Sequence, residues 1–329
     1  MFPEFFTRRP EWADQIERIG ELLGRISVLE DRTGSALELR RNNRINSVHS
    51  STAIEGNELT LEQVSSLANG EPVFAPPRAV LEVQNALVAY EALESFDPWS
   101  VEDFLRAHQL LTVGLVPESG TFRTVEVDIV GVGGIVLHSG SSAPKVPRLV
   151  AELFDWARDT SEHPLIVSSA VHFMIEHIHP FRDGNGRVGR LWQTLILSRW
   201  RPVFAWMPTE TLIRRNQRGY YDALQASREP EIDAATFIEY MLGILADSLV
   251  EYANRASGGI NGGINGGINE VILELLRIDP EMTTAEIASR LGRGKRTIER
   301  RLAELKAAGL LRREGSLKTG RWRVMALGE

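Results

Sequence analysis

The sequence of 329 residues contains no cysteine. A disulfide framework is therefore excluded, and so are metal centres that need thiolate ligands. No stretch reaches the 18 or so consecutive apolar residues that a membrane-spanning helix requires. The first twelve residues carry two arginines and two acids and lack the apolar segment of a signal peptide. We therefore expect a cytoplasmic protein with no membrane partner.

Basic residues are scarce in most of the chain and concentrated near its end. Residues 1–269 hold 24 Lys/Arg against 35 Asp/Glu, whereas residues 270–329 hold 13 against 9, a net charge of +4. Within residues 290–325 the basic residues outnumber the acidic ones by 12 to 3. A basic end on an acidic protein indicates a patch for nucleic acid or another polyanion. The length predicts two or three domains.

The most informative segment is residues 179–190, which read His-Pro-Phe-Arg-Asp-Gly-Asn-Gly-Arg-Val-Gly-Arg. His179 has an ordinary pKa of about 6.5, so it can accept a proton from a hydroxyl near neutral pH. Asp183 offers the hard oxygen that Mg²⁺ prefers. Gly184 and Gly186 allow a phosphate to approach the backbone closely. The segment thus combines a base, a metal ligand and a phosphate-binding turn.

A helix is predicted to begin within this segment, near residues 185–187. Val188, Leu191, Trp192 and Leu195 follow the i, i+3, i+4, i+7 spacing of a helical apolar stripe. The amides at the start of such a helix form an anion site. Two arginines three residues apart, at positions 187 and 190, share one face and can each grip phosphate oxygens. The pattern therefore predicts an enzyme that acts on a nucleoside triphosphate.

A zinc site built from the preceding histidines is the main alternative, and the spacing argues against it. His172 and His177 are five residues apart, about 140° around a helix, whereas paired zinc histidines need the i, i+4 spacing or its inverted form. We expect residues 164–178 to form a buried helix in which His172 is a core residue with satisfied hydrogen bonds.

The twelve residues resemble, position for position, the signature of the Fic family (filamentation induced by cAMP), His-x-Phe-x-Asp/Glu-Gly-Asn-Gly-Arg-x-x-Arg. The resemblance extends over roughly residues 1–250. It implies a mainly α fold, with a Fic-type helical core and a small β-hairpin flap. It also implies transfer of AMP from ATP, with Mg²⁺ or Mn²⁺, to a Tyr, Ser or Thr hydroxyl of a target protein or of the chain itself.

The resemblance assigns roles to residues of the segment. His179 would be the general base and Asp183 the metal ligand, and the two arginines would hold the β- and γ-phosphates. Relatives with lysine in place of Gly186 act as kinases, so glycine there favours AMP transfer. The residues expected to bind ATP or its phosphates are Gly184, Asn185, Gly186, Arg187, Val188, Gly189, Arg190 and Asn216.

A second motif lies upstream, at residues 51–57. Gly56 is typical of a helix C-cap, and Thr60-x-x-Gln63 of a capping box that opens the next helix. Glu55 would then end a helix, where the dipole disfavours its charge and a nearby cation would relieve the conflict. On the residues alone, a solvated glutamate beside a turn is the favoured interpretation.

The same motif resembles the Ser/Thr-x-x-x-Glu-Gly/Asn inhibitory helix of many Fic proteins. That resemblance makes Ser51, Glu55 and Gly56 inhibitory residues. In it, Glu55 pairs with Arg190 and keeps the γ-phosphate out of place.

Two further segments have weaker signals. Residues 125–138 alternate partly between polar and apolar and predict the β-hairpin flap, which in the family holds the target as an added strand. Asn216, Tyr220 and Tyr221 resemble the helix that closes over adenine. A helix surface with core tyrosines accounts for them equally well.

The C-terminal residues predict a winged helix-turn-helix. We expect a short helix over residues 271–276, a second capped by Thr283-x-x-Glu286, a third over residues 297–308, and a hairpin. Such domains bind DNA or proteins. The candidates for contact with DNA are Arg293, Lys295, Arg296, Arg300 and Arg301.

The predicted organisation has four parts: an N-terminal helical region with the inhibitory motif (1–100), a Fic core (101–256), a flexible linker with three Gly-Gly-Ile-Asn repeats (257–269), and the winged helix (270–329). Other functions stay open. The site could remove AMP with Glu55 orienting water, or take another nucleotide or phospho-ligand. The chain could also be a DNA-binding regulator with a nucleotide-sensing core, and a homodimer is compatible with the sequence.

Overall fold

The computed structural model describes most of the chain. The described residues are 5–30, 36–130, 136–261, 272–273, 275–277, 279–280, 282–291, 294–307, 309–314 and 321–325. The protein is mainly helical, as predicted, and divides into two compact units, Met1–Ala253 and Asn254–Glu329. Among the described residues, no helix is both long enough and apolar enough to cross a membrane.

The first unit is a helical assembly with one small sheet. Its α-helices are α1 (Trp12–Glu30), α2 (Ala36–Ile54), α3 (Leu61–Ala68), α4 (Pro77–Glu91), α5 (Val101–Thr112), α6 (Val146–Asp159), α7 (Pro164–Ile178), α8 (Asn185–Trp200), α9 (Thr209–Arg215), α10 (Gln217–Ala226) and α11 (Ala235–Asn261). The capping box at the start of α3 is present as predicted, with Thr60 and Gln63 bonding each other reciprocally.

Helices α7 and α8 form the centre of this unit. Nearly every side chain of α7 is buried, and its bounds are those predicted from the sequence. On α8, Trp192 is fully buried, with its ring 5.0 Å from that of Phe104 and 5.7 Å from that of Phe154. Buried aromatic rings in such geometry pack through large apolar areas. The rigid pair α7–α8 fixes the loop between them, which contains the candidate site.

A two-stranded antiparallel sheet confirms the predicted hairpin. Strand β1 (Asp128–Val130) pairs with β2 (Val136–Ser139), with Asp128 opposite Ser139. The strands begin three residues later than the alternating pattern suggested, and residues 131–135 lie outside the described residues.

The second unit has the predicted helix-turn-helix and hairpin. It contains α12 (Thr284–Arg290), α13 (Lys295–Ala307), and the antiparallel strands β3 (Leu311–Glu314) and β4 (Arg321–Val324). The predicted capping box is present at α12: the Thr283 backbone N–H donates to Glu286 at 2.7 Å, and the Glu286 backbone N–H donates to Thr283 Oγ1 at 3.3 Å. Helix α13 begins two residues earlier than expected.

The apolar core of the second unit comes from all of its elements. Its buried members include Ile272, Leu276, Met282, Ile287, Ile298, Leu302, Leu305, Leu311 and Trp322. Residues 272–273 and 275–277 are helical, in agreement with the predicted first helix, while residues 271 and 274 lie outside the described residues.

The linker prediction is wrong for its first residues. Helix α11 continues to Asn261 and so includes residues 257–261 of the Gly-Gly-Ile-Asn segment. An established helix extends with one hydrogen bond for each added residue, which can offset the low helix propensity of glycine over a short distance. Residues 262–269 lie outside the described residues, and the other predicted boundaries stay predictions.

Candidate active site

The loop between α7 and α8 starts and ends in left-handed backbone. His179 caps α7 with φ 53° and ψ 62°, a strained conformation for a residue other than glycine. Gly184 precedes α8 with φ 87°, and a Cβ there would lie 2.8 Å from the Thr112 side chain. Glycine is therefore required at position 184 both by the backbone conformation and by the close approach of α5.

The start of α8 presents backbone amides to this loop. The first helical hydrogen bond runs from the Val188 N–H to the Gly184 carbonyl at 3.0 Å. The amides of Asn185, Gly186 and Arg187 precede it and have no acceptor within the helix. The Asn185 side chain bonds the Phe181 backbone twice, at 2.8 and 2.9 Å, which fixes the loop against the helix. The amides lie where the sequence predicts an anion site.

His108 on α5 contacts the loop and holds it in place. The sequence pattern did not indicate this role. Its Nδ1 accepts a hydrogen bond from the Gly120 N–H at 3.0 Å, so the proton lies on Nε2, which donates to the Asp183 carbonyl at 2.9 Å. Its ring stacks on Phe181 with centroids 3.6 Å apart. Burial lowers the pKa of His108 to about 4, so the ring stays neutral at physiological pH.

Arg123 ties the His179 backbone to the base of the flap. Its buried guanidinium donates to the carbonyls of His179 at 2.7 Å, Val125 at 2.8 Å and Ile178 at 3.2 Å, and also to that of Ser141. Its own N–H donates to the Pro180 carbonyl at 3.0 Å. These bonds hold the strained backbone at His179 from both sides of the residue.

Asp183 and Arg187 form an ion-paired cluster with a third residue. Asp183 is about half exposed, and its Oδ1 accepts from the Gly184 N–H at 2.6 Å and from Arg187 at 3.2 Å. The buried Arg187 also pairs with Glu82 of α4 at 2.7 Å. Glu82 belongs to no motif in the sequence. Only the fold brings α4 to this loop.

The donor set is compatible with Mg²⁺ or Mn²⁺. Among the described residues, the hydrogen bonds from Gly184 and Arg187 engage Oδ1 of Asp183, and its second oxygen could coordinate a hard cation. Within the described ranges no group of three or more acidic or histidine side chains could enclose a metal. A single carboxylate with phosphate oxygens and water is a usual arrangement for Mg²⁺.

The upstream motif lies directly against Arg190. The Arg190 side chain is buried, with 1% exposure, and donates to Ser51 Oγ at 3.2 Å, to the Ser51 carbonyl at 3.0 Å and to Glu55 Oε1 at 2.7 Å. Burial lowers the pKa of Arg190, but attraction by Glu55, Tyr220 and Glu176 together with the hydrogen bond to Glu55 outweighs it, and the net direction is upward. Arg190 is therefore the cation that the sequence predicts near the end of α2, where the helix dipole is negative.

The Glu55 carboxylate also lies against the anion site. A Cβ at Gly186 would collide with Glu55 Oε1 and would lie 3.0 Å from Arg190 Nη1. A carboxylate oxygen thus occupies the space beside the backbone where a phosphate oxygen would approach. This contact explains the glycine at position 186 in the present arrangement.

Glu176 on α7 is a buried carboxyl that the sequence analysis missed. It is 8% exposed, lies 3.5 Å from the Tyr220 hydroxyl, and packs against Gly189. Burial, followed by repulsion from Glu55, raises the pKa of Glu176 to about 7. The feature of the sequence that could have indicated this buried carboxyl is a glutamate within an otherwise apolar helix.

His172 is the core residue that the spacing predicted. Its Nδ1 lies 2.7 Å from Gln193 Oε1, and its Nε2 lies 3.0 Å from the Tyr220 hydroxyl. Burial lowers the pKa of His172 to about 3. With both ring nitrogens engaged by neighbours, the zinc interpretation has no support among the described residues.

Two of the expected phosphate-binding residues pack in the core instead. Val188 is fully buried and its N–H closes the first turn of α8, so neither its side chain nor its amide faces the loop. Gly189 lies within the helix and faces the His172 ring, where a Cβ would be 3.0 Å away. The predicted contacts of Val188 and Gly189 with ATP stay predictions.

Asn216 is exposed at the junction of α9 and α10. Its neighbour Gln217 donates to the Ile54 carbonyl at 2.9 Å, which brings the start of α10 to the end of α2. Tyr220 is buried, whereas Tyr221 is 44% exposed. The predicted contact of Asn216 with ATP stays a prediction.

The predicted DNA contacts divide into two groups. Lys295, Arg296 and Arg300 are exposed on α13. Arg301 is 4% exposed and pairs with Glu304 at 2.6 Å, and its predicted contact with DNA stays a prediction. Arg293 lies outside the described residues.

The hairpin of the second unit adds basic residues. Arg312 on β3 lies opposite Arg323 on β4, and both are exposed, as is Arg321. Like charges directly opposite each other destabilise a strand pair.

Comparison with known proteins identifies both parts of the chain. The Fic/DOC family model matches residues 98–197, and a helix-turn-helix domain model matches residues 271–314. A solved Fic family protein from Desulfovibrio desulfuricans has 37% identity and a TM-score of 0.73, and the match covers all of both chains. A Fic domain containing signaling protein from Bacteroides thetaiotaomicron, at 20% identity and a TM-score of 0.62, shares the fold over 73% of this chain and 97% of its own.

Curated relatives are named as protein adenylyltransferases. One from Aedes aegypti is 26% identical over 231 residues, which are 66% of this chain and 44% of the relative. Another from Caenorhabditis elegans is 28% identical over 214 residues, which are 59% and 38%. The chain therefore spans less than half the length of these curated relatives.

Proposed function

The chain belongs to the Fic/DOC family, and on that premise we propose that it is a protein adenylyltransferase that transfers AMP from ATP to a protein hydroxyl. The observation that carries the proposal is the single loop-to-helix junction that brings together a histidine, three helix-terminal amides and two buried arginines. The names of the curated relatives support the same reaction class.

The reaction is a displacement at the α-phosphorus of ATP. His179 accepts the proton of the attacking Tyr, Ser or Thr hydroxyl, a bond forms between that oxygen and the α-phosphorus, and pyrophosphate leaves. The amides at the start of α8, with Arg187 and Arg190, stabilise the negative charge of the phosphates as it redistributes. Asp183 would hold Mg²⁺ or Mn²⁺, which when bound neutralises phosphate oxygens.

Glu55 keeps this site in an inhibited arrangement. Its carboxylate takes a hydrogen bond of Arg190 and lies against Gly186, so that a triphosphate in the productive position meets a like charge and lacks one arginine contact. The Glu55 carboxylate and a phosphate that both bind Arg190 repel each other, because both are negatively charged. The wild-type chain should therefore transfer AMP slowly.

Labelled ATP added to the protein with Mg²⁺ and a cell lysate tests both points. Glu55→Gly should label target proteins, or the chain itself, at least tenfold faster than wild type, because it frees Arg190 for the γ-phosphate. Glu58→Gly removes an exposed carboxylate three residues away and should leave the rate unchanged. Equal rates for wild type and Glu55→Gly at saturating ATP would reject autoinhibition, and absence of label in both would reject the transfer itself.

The opposite reaction is tested with a target that already carries AMP. If wild type releases AMP from it and Glu55→Gly does not, Glu55 orients water for removal, and transfer is the secondary activity. Unlabelled GTP, CTP and UTP added as competitors establish whether the site selects adenine.

DNA binding by the second unit is a separate candidate function. The match to a helix-turn-helix model and the exposed basic residues of α13 and the hairpin favour it. In that case AMP transfer or nucleotide binding would accompany a regulatory role on DNA.

A further inference from the structure

Arg187 pairs with two acids that come from different elements of the fold. Its Nη1 lies 2.7 Å from Glu82 Oε1 on α4, and its Nη2 donates at 3.2 Å to Oδ1 of Asp183 in the loop before α8. The Arg187 side chain is 5% exposed and that of Glu82 is 17% exposed, so salt and water screen this pair only weakly. Glu82 therefore acts on the same guanidinium as the carboxylate proposed to bind the metal.

The packing of α4 places Glu82 beside Arg187. Three residues further along this helix, Asn85 is buried and donates to the Val113 carbonyl after α5 at 2.8 Å, which anchors α4 to α5. The Asn57 side chain bonds the other carboxylate oxygen of Glu82, Oε2, at 2.8 Å, so it does not compete with Arg187 for Oε1. The position of Glu82 is thus set by its helix, and the contact with Asn57 is compatible with it.

The charges of this cluster affect how well Asp183 can bind a cation. Asp183, Arg187 and Glu82 carry a net charge of −1, whereas Asp183 and Arg187 alone carry none. The negative cluster attracts a divalent cation, and the neutral pair attracts it much less. Without the charge on Glu82, Arg187 would also pair more strongly with Asp183 and compete with the metal for that carboxylate. Glu82 therefore makes the site more favourable for Mg²⁺ or Mn²⁺.

Arg187 retains donors for a phosphate while both acids stay in place. A guanidinium has five N–H groups, and Glu82 and Asp183 engage one nitrogen each. The third nitrogen, Nε, has no hydrogen-bond acceptor among the described residues. Glu82 does not have to leave Arg187 before a phosphate binds, in contrast to Glu55, which lies against the backbone at Gly186.

We propose that Glu82 is a positioning residue of the nucleotide site, which holds Arg187 in place and keeps Asp183 available for the metal that accompanies ATP. The proposal rests on the proposed function and deepens it. It adds an acid of α4, outside the signature segment, to the residues that set the affinity for the metal–nucleotide complex. Glu82 acts through Arg187 and Asp183 rather than by contact with the reacting groups.

The test compares Glu82→Gln with its parent in the Glu55→Gly background, where the proposed inhibition is absent. Glutamine keeps the size of the side chain and removes its charge. Calorimetry with a non-hydrolysable ATP analogue and Mg²⁺ measures Kd without turnover. We expect Kd to rise roughly 10- to 100-fold, the usual effect of losing a residue that orients a metal ligand. The Mg²⁺ concentration for half-maximal transfer and KM for ATP should rise with it, whereas kcat at saturating Mg²⁺ and ATP should be largely retained.

Two further variants separate this role from general effects of charge and folding. Glu91→Gln removes an exposed acid at the end of the same helix and should keep the Kd of the parent. Glu82→Asp keeps the charge but shortens the side chain, and its Kd should lie between those of the parent and Glu82→Gln. If Glu82→Gln fails to fold, judged by its thermal midpoint, Glu82→Asp decides by the same measurement.

The outcomes distinguish this inference from the proposed function. A Kd that is unchanged in a folded Glu82 variant, while Glu55→Gly labels targets efficiently, overturns the proposal and leaves the transfer function intact. A lower Kd also overturns it and makes Glu82 a competitor of phosphate for Arg187. If Glu55→Gly binds the analogue with Mg²⁺ but labels nothing, transfer is rejected, and the comparison of Kd values still decides the role of Glu82.

Discussion

His179 is the residue whose loss should affect chemistry most and binding least. It caps α7 in a left-handed conformation and takes no part in the amide cluster that faces phosphate. In a Glu55→Gly background, His179→Ala should lower transfer by about 10²–10⁴-fold, the usual effect of losing a general base. ATP affinity, measured by calorimetry, should stay within about twofold. Near-normal labelling by the variant would exclude His179 as the base.

Arg123 should act on the rate through His179. Its guanidinium donates to four carbonyls, among them those of Ile178 and His179, and one ammonium group cannot reproduce that planar set of donors. In the Glu55→Gly background, Arg123→Lys should lower kcat roughly 10- to 100-fold, since displacement of a reacting group by about 1 Å can cost about 10²-fold. KM for ATP should change little.

The matched control for Arg123 is Arg182. This arginine lies in the loop between α7 and α8, is 54% exposed, and pairs with Glu118 on the surface. Arg182→Lys should retain kcat. If Arg123→Lys folds normally, judged by its thermal midpoint, and keeps full kcat, the clamp on the His179 backbone has no catalytic consequence.

At the scale of elements, helix α2, for which we propose an inhibitory role, is tethered to α4 by a residue beyond its own end. The Asn57 side chain donates to the Ala79 carbonyl at 3.0 Å and to Glu82 at 2.8 Å, both on α4, and Glu82 in turn pairs with Arg187. Asn57→Ala should raise basal transfer about fivefold, because a net hydrogen bond contributes about 1 kcal/mol. Labelling rates measure the effect.

Two comparisons show whether the tether acts through Glu55. Asn57→Ala should have no effect on transfer in the Glu55→Gly background, where inhibition is already absent. Asn69 follows α3, is exposed, and accepts a hydrogen bond from Arg41. Asn69→Ala should leave wild-type transfer unchanged. A rise of the same size in the Glu55→Gly background would show that Asn57 affects the site by another route.

At the scale of the whole molecule, the basic surface of the second unit should give the full chain a salt-dependent affinity for duplex DNA. Lys295, Arg296, Arg312 and Arg323 are exposed there, and each phosphate contact releases a counterion on binding. Affinity should fall steeply between about 50 and 200 mM salt. Lys295→Ala/Arg296→Ala should weaken binding and lower the salt slope by about two.

The charge-matched control removes Arg148 and Arg158 of α6, which are exposed in the first unit, and should bind DNA as wild type does. Fluorescence anisotropy with a labelled duplex measures the DNA affinity of all three proteins: the wild type, Lys295→Ala/Arg296→Ala and the control. Absence of binding at low salt, or an affinity that does not change with salt, would contradict the prediction and favour a protein partner for the helix-turn-helix.

The sequence by itself determined the local elements. The bounds of α7, the start of α8 at Asn185, and the capping boxes at Thr60 and Thr283 followed from apolar spacing and from residues that cap helix ends. These features depend on interactions within a few residues, so a linear pattern contains them. The base, the phosphate-binding turn and the resemblance to a family are read from one continuous segment for the same reason.

Only the tertiary structure decided which distant side chains meet. Glu82, His108 and Arg123 approach the loop from other elements, and no linear pattern specifies these contacts. Burial also depends on the fold, and it raises the pKa of Glu176 to about 7 while it lowers that of His108 to about 4. Desolvation and contact are properties of the packed chain, and the order of residues does not specify them.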